Sequence, residues 1–360
     1  KFTRTATIEV RKALIQLTDS MGAKQIVFDL RGNGGGLLRE AVNIVNLFVP
    51  KGVEVVSMKG KTPEWNNNYN TQSKALLPNI PLAILIDNKS ASASEIVAGT
   101  LQDLDRALIV GQESFGKGLV QQTKKLAYGS RIKITVAKYY TASGRCVQRL
   151  HYSDRNDLGD ATIQADSTLQ TFYTKNGRPV IEGRGVIPDL EINIENLNYV
   201  LSGILDSGVL FDFAVNEMNA GGAHNLDPES FALTDMQWDA FMRFMNDEFS
   251  SELLEKTGRD FPYEPNTTRI VELLEDAMEE DGTLASHADL ITRLDNVSKP
   301  NLNADLNKYE TEIREALTEE LIYHTANTSG VFRHLLPNDD VAKEAVSKLE
   351  SGEYLEILGY

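Results

Sequence analysis

Cysteine is almost absent from this chain. Cys146 is the only one in 360 residues, which excludes an internal disulfide framework and any cysteine-built metal site. A lone thiol of this kind reads as a small buried hydrophobe. Long apolar runs are also missing, since nothing approaches the roughly 18 consecutive apolar residues that a bilayer span needs. Histidine is scarce: His151, His224, His287, His324 and His334 all stand away from the compact α/β stretch, four of them in later helical sequence. None has an Asp or Ser context that suggests a triad. Basic residues run out in the second half. Residues 1–200 hold 25 basic and 19 acidic side chains, whereas residues 201–360 hold 11 and 33. That asymmetry marks a boundary near residue 200 and argues against nucleic-acid binding by the acidic part, which reads as a solvated helical face. Internal repeats and low-complexity tracts are absent. An initiator Met is lacking too: the chain opens on Lys1, so sequence ahead of it is expected.

Two glycine patterns come close to nucleotide motifs and fail. Gly32-Asn33-Gly34 is not completed by a third glycine at position 37, which is Leu, so the dinucleotide fingerprint is broken. Gly111 to Gly116-Lys117 matches most of a phosphate loop, but Gly118 occupies the Ser/Thr position that binds Mg²⁺, and a strand-like run follows. Neither cofactor nor metal is expected.

What remains has ordinary soluble composition, 41% apolar and 24% charged, with length enough for two domains. Helical periodicity covers 5–19, and Ile26–Leu30 is a strand that runs through Arg31–Gly36 into an apolar helix, Leu37–Val49. Val53–Met58 is a strand, and the polar 60–75 stretch with Trp65 reads as an exposed loop near the cleft. Pro81–Ile86 is a buried strand, 95–103 a helix, and 107–110 another strand. Residues 119–126 and 131–140 alternate as a hairpin about Tyr128-Gly-Ser130, and the aperiodic 151–176 reads as a surface insertion. From Asn196 helices dominate. A Thr234-x-x-Gln237 capping box precedes Trp238, Phe241, Met242, Met245 and Phe249. One long stripe runs from Leu302 to Leu321, and a third helix lies at 341–349.

The chemistry concentrates between residues 88 and 121. Ser92 sits where the 81–86 strand ends and the 95–103 helix begins, so its oxygen is presented outward beside free backbone N–H groups suited to a developing anion. A Ser hydroxyl needs a base. A lysine serves if burial leaves it neutral, and Lys117 fits by context, in a Gly-flanked turn before Leu119–Thr123. On a strand, positions 117, 119 and 121 share a face, so Lys117 and Gln121 point into one cleft and Gln121 can hold the amine without adding charge. The strand–Gly-loop–helix layout at 31–36 supplies a second candidate anion site.

Asp29-Leu-Arg-Gly-Asn-Gly-Gly-Gly36, Ser90-Ala-Ser-Ala-Ser-Glu95, Phe115-Gly-Lys-Gly-Leu-Val-Gln121 and Gly183-Arg-Gly-Val-Ile-Pro-Asp189 occur in that order. Together they resemble the bacterial carboxy-terminal processing (tail-specific) serine peptidases over residues 1–195. The resemblance implies Ser92 as nucleophile, Lys117 as general base 25 residues later, Gln121 as the residue orienting the lysine, and an oxyanion hole from the amides of Ala93 and a glycine of the 33–36 turn, with Gly35 the first choice. It implies an α/β fold with a crotonase/ClpP-like layered core over 1–195 and a helical region over 196–360. It also implies a signal segment and a PDZ domain ahead of residue 1, substrates that are protein C-terminal tails, and a periplasmic or cell-envelope setting. Arg184 departs from the family's usual three glycines at 183–185. Some family members carry a proposed catalytic Asp at the position of Asp103. Eleven residues of helix place it roughly 16 Å from Ser92, so capping or packing is expected there. Arg145 fits an ion pair or a substrate contact. The helical region is left to pack on the core or to present a groove to an adaptor or second subunit. A catalytically silent tail-binding scaffold and a crotonase-like acyl-CoA enzyme are the alternative readings.

Overall fold

The structure is a computed structural model that describes residues 1–155, 161–163, 169–192, 197–221, 226–248, 266–298 and 301–360. His224, Phe249 and the expected 195/196 boundary lie outside the described residues. The chain divides into two compact units, residues 1–194 with 339–360, and residues 195–338.

The first unit is built on a parallel sheet of strands β1 (Ile26–Asp29), β4 (Leu82–Ile86), β5 (Leu108–Gly111) and β12 (Leu190–Glu191), in the order β1-β4-β5-β12. Its central strands are apolar throughout because both faces are covered. Leu82, Ile84 and Ile86 point into the main core, while Ala83 and Leu85 point to the opposite face. Helix α1 (Ala6–Ile15) opens the unit. Helices α2 (Leu38–Phe48) and α3 (Ala93–Asp103) contribute to the main core, as does an antiparallel sheet ordered β3-β2-β7-β6. Its strands are β2 (Glu54–Gly60), β3 (Asn67–Asn70), β6 (Leu119–Lys125) and β7 (Arg131–Tyr140). The polar 60–75 stretch is therefore not wholly loop. Asn67–Asn70 pairs along β2 as an edge strand, and Trp65 packs partly buried against the core. Beyond the hairpin come two small antiparallel pairs, β8 (Leu150–Arg155) with β9 (Ala161–Ile163) and β10 (Thr171–Tyr173) with β11 (Pro179–Ile181).

Residues 195–338 hold helices α4 (Tyr199–Ser207), α5 (Val209–Asn219), α6 (Asp235–Glu248), α7 (Asn266–Glu280), α8 (Leu284–Ser298), α9 (Leu302–Lys308) and α10 (Glu310–Leu335). Their own core joins Phe213, Trp238, Phe241, Ile313 and Leu317. The single stripe expected over Leu302–Leu321 is two helices, interrupted at Tyr309, whose backbone leaves the helical region at φ −110, ψ 26.

The last segment requires a correction. Helices α11 (Asp340–Ser351) and α12 (Glu353–Ile357) belong to the first unit, not to the helical one. Val341, Ala342, Ala345 and Leu349 cover the second face of the parallel sheet, against Ala83, Leu85, Leu108 and Val110. Without them that face would meet water.

Candidate active site

The site begins where β4 meets α3. Three serines crowd this turn, and the structure separates them. Ser90 and Ser94 are fully buried, and their hydroxyls donate to the carbonyls of Leu30 (2.8 Å) and Asn33 (2.7 Å). Ser92 is half-buried and held at φ 58, ψ −112, a conformation that costs a non-glycine residue on the order of 1–3 kcal/mol. Such a tight elbow pushes a side chain outward at a helix mouth, the disposition a nucleophile needs. Ala93 is the first helical residue, so its N–H has no intrahelical acceptor.

Against this elbow lies the glycine turn. Ala91 N–H donates to Asn33 O (3.1 Å), and Phe2 N–H donates to Gly35 O (3.1 Å), so the chain start and the serine turn grip the loop from two sides. Gly35 sits at φ +94, and a Cβ on it would stand 2.6 Å from Ala91 O, 2.8 Å from Ala93 N and 2.9 Å from Ser92 Cβ. Only glycine allows that approach. Its amide, however, donates to Asn33 Oδ1 at 3.0 Å, so Gly35 N–H is engaged and not open to an oxyanion. The amides of Gly34 and Gly36 have no hydrogen-bond acceptor among the described residues.

Lys117 lies in the loop between β5 and β6, and one carboxylate ties it to the serine. Glu95, fully buried, accepts at Oε2 from Ser92 N–H (2.7 Å) and from Lys117 N–H (2.8 Å). Its Oε1 accepts from the Ser114 hydroxyl (2.6 Å) and Gly116 N–H (2.7 Å). Ser92 and Lys117 therefore stand no farther apart, nitrogen to nitrogen, than the sum of two hydrogen bonds. On their carbonyl side the Tyr139 hydroxyl meets both Ser92 O (3.1 Å) and Lys117 O. Burial pushes the Glu95 carboxyl above the ordinary glutamate range, while the donors from Ser114, Lys117, Ser92 and Gly116 pull it back. Burial, and then the Glu95 charge, hold the Tyr139 phenol well above its usual range.

A cleft of about 590 Å³ opens beside the loop. Lys117, Gln121, Phe115, Lys61, Lys138 and His151 are among its walls. Lys117 and Gln121 thus share one cleft, but both are exposed and no hydrogen bond joins them among the described residues. The burial expected of the lysine is not found among the described residues. Ser92 is not among the cleft walls, and no hydrogen bond joins it directly to the lysine amine. His151 was expected to lie away from the α/β region, yet β8 brings it into the cleft. Its sequence surroundings carry no sign of this, because the placement depends on the return of a distant strand.

Asp103 and Arg145 are structural. Arg145 NH2 stands 2.9 Å from Asp103 Oδ1 with both side chains at 1% exposure or less, and it also donates to Gln102 Oε1 (2.6 Å). Asp103 further accepts from Ser143 N–H at 2.9 Å and from the Thr141 hydroxyl. Among the described residues, no group of three His, Cys, Asp or Glu side chains is placed to hold a metal ion.

Comparison with known proteins places these features in context. Residues 1–152 match the model of peptidase family S41, and residues 200–349 match that of a probable PDZ-protease C-terminal helical domain. A probable CtpA-like serine protease of Staphylococcus epidermidis is 35% identical over 192 residues, which is 52% of this chain and 35% of that protein. One from Staphylococcus aureus (strain MSSA476) is 30% identical over 265 residues, 72% of this chain and 49% of the relative. The chain thus spans about half, or less, of these relatives' length. Among solved structures, the photosystem II D1 C-terminal processing protease is 28% identical with a TM-score of 0.41, covering 57% of this chain and 44% of that one.

Proposed function

The chain belongs to peptidase family S41, and from that premise we propose that it is a serine endopeptidase cutting proteins near their C-terminal tails, with Ser92 as nucleophile and Lys117 as general base. The observation that carries this reading is the pair of shared contacts at Glu95 Oε2 and the Tyr139 hydroxyl, which bring together two residues 25 positions apart. The reading requires the flexible four-carbon stem of Lys117 to swing its amine to the Ser92 hydroxyl. Lys117 is open to solvent here, so the reading assigns the covering of its amine to the bound substrate, since desolvation favours the neutral form.

In the reaction, the Lys117 amine takes the Ser92 proton as Oγ attacks the peptide carbonyl. Ala93 N–H and an amide of the glycine turn receive the oxyanion. Because Asn33 occupies Gly35 N–H, we assign the second donor to one of its two open neighbours, Gly34 or Gly36. Collapse expels the amine, which takes the proton from Lys117. Water, deprotonated by the same lysine, then hydrolyses the Ser92 ester. Gln121, on the same cleft wall, orients the amine during both transfers. The setting that goes with this activity is the periplasm or cell envelope.

The test is cleavage of an unstructured tail peptide by Ser92→Ala and Lys117→Ala. Both are expected to lose turnover while keeping the wild-type melting temperature. Wild-type rates in both folded variants would overturn the assignment.

A further inference from the structure

We infer that Glu95 and Tyr139 are positioning residues that hold the nucleophile turn and the lysine turn in register from opposite sides of the backbone. The inference rests on the Ser92/Lys117 reading and extends it. Ser92 caps α3 and Lys117 lies in the loop after β5; the β4–β5 ladder that leads into both turns ends at Ile86 and Gly111, short of either residue. One main-chain bond, Phe115 N–H to Ser90 O (3.0 Å), links the neighbouring residues of the two turns. The direct tie between the two candidate residues themselves is made by side chains.

Helix capping alone does not account for Glu95. As the third residue of α3 it is expected to accept from Ser92 N–H, and it does. Capping explains one of its four contacts. The other three go to Ser114, Gly116 and Lys117, all on the lysine loop. Two carboxylate oxygens facing four donors and no acceptor match an ionised group with its acceptor sites filled. Tyr139 acts on the other side. Its fully buried hydroxyl has a single proton to share between the carbonyls of Ser92 and Lys117, so it draws both toward one point. Amides on one oxygen and carbonyls on one hydroxyl together fix both the distance and the relative rotation of the two residues. Neither Glu95 nor Tyr139 needs to touch the substrate.

The experiment compares Glu95→Gln and Tyr139→Phe with the unaltered chain. It measures kcat and KM on a tail peptide, the rate of phosphonylation of Ser92 by a fluorophosphonate, and thermal melting. Gln keeps the shape of Glu but sets an NH2 group against the Ser92 and Lys117 N–H groups in one orientation and against Gly116 N–H in the other. Phe keeps the ring and removes the shared proton. We expect kcat and phosphonylation to fall together, by about 10²-fold for Glu95→Gln and by a smaller factor for Tyr139→Phe, with KM nearly unchanged. The double variant should be little worse than Glu95→Gln, as for groups that act as a unit. Wild-type kcat in folded Glu95→Gln and Tyr139→Phe, or a loss confined to KM, would overturn the inference. Should Glu95→Gln not fold, Tyr139→Phe decides by the same criterion. Ser92→Ala and Lys117→Ala run beside them separate the two failures. If those still cleave, the Ser/Lys reading has fallen. If they are inert while Glu95→Gln works normally, only the positioning role has.

Discussion

At the scale of single residues, the site is fixed by how closely backbone approaches backbone. Gly35 is the sharpest case. Its positive φ and the contacts a Cβ would make with Ala91, Ser92 and Ala93 mean that Gly35→Ala must displace the Ser92 turn. We expect kcat to fall about 10²–10³-fold, comparable to loss of an oxyanion donor, with a melting temperature below wild type; kinetics and calorimetry check this. Arg145→Ala should behave oppositely. It strands the fully buried Asp103 carboxylate, which costs about 3–5 kcal/mol for a buried pair broken on one side, while the folded fraction keeps its kcat. A chemical denaturation curve beside an active-site titration separates the two effects. The turns that carry Ser92 and Lys117 were legible in the sequence, because each is a short local motif that needs no distant partner to form. Two details were not. Engagement of the Gly35 amide depends on the Asn33 side chain reaching forward two residues, and the contact of Glu95 with the lysine loop spans 22 positions.

At the scale of elements, sequence pattern found the strands and helices with strong periodicity and missed those defined by a neighbour. Strand β3 is made of Asn and Tyr, so it carries no apolar alternation, and only its pairing to β2 makes it a strand. Helix α11 was seen as a helix, but its destination was hidden. What holds its start is Asp339, whose carboxylate accepts from Ala342 N–H at 3.0 Å and pairs with Arg31, itself held by Asp29. Burial alone would raise the Asp339 carboxyl, but the Arg31 guanidinium and the helix amides outweigh it and hold the group below its ordinary value of 3.8. A depressed carboxylate stabilises the fold above that ordinary value and loses the contribution as pH falls through its own lower one. Asp339→Asn should therefore cost about 1–2 kcal/mol near neutrality, and the difference from wild type should shrink as pH drops below 3.8. Urea midpoints across that range give the check.

At the scale of the whole molecule, the helical unit is an insertion between β12 and α11, since the first unit resumes at Asp339. Ile192 and Val341 share one apolar cluster, so the chain ends that flank the insertion both meet on the parallel sheet. Replacing residues 197–338 by a short Gly/Ser linker is expected to leave the first unit folded, with a cooperative melt by circular dichroism. Deleting 339–360 should instead uncover Ala83, Leu85, Leu108 and Val110 and yield aggregated protein. The charge break near residue 200 showed one end of this insertion in the sequence. It gave no hint of the other, because α11 is as acidic and amphipathic as the helices before it. The proposed activity turns on one covalent event, and an acid-quenched reaction with a tail peptide ester, mapped by mass spectrometry, tests it most directly. The predicted result is the acyl group on Ser92, absent from Lys117→Ala. An acyl group on another residue, or continued cleavage with Ser92 never modified, would contradict it.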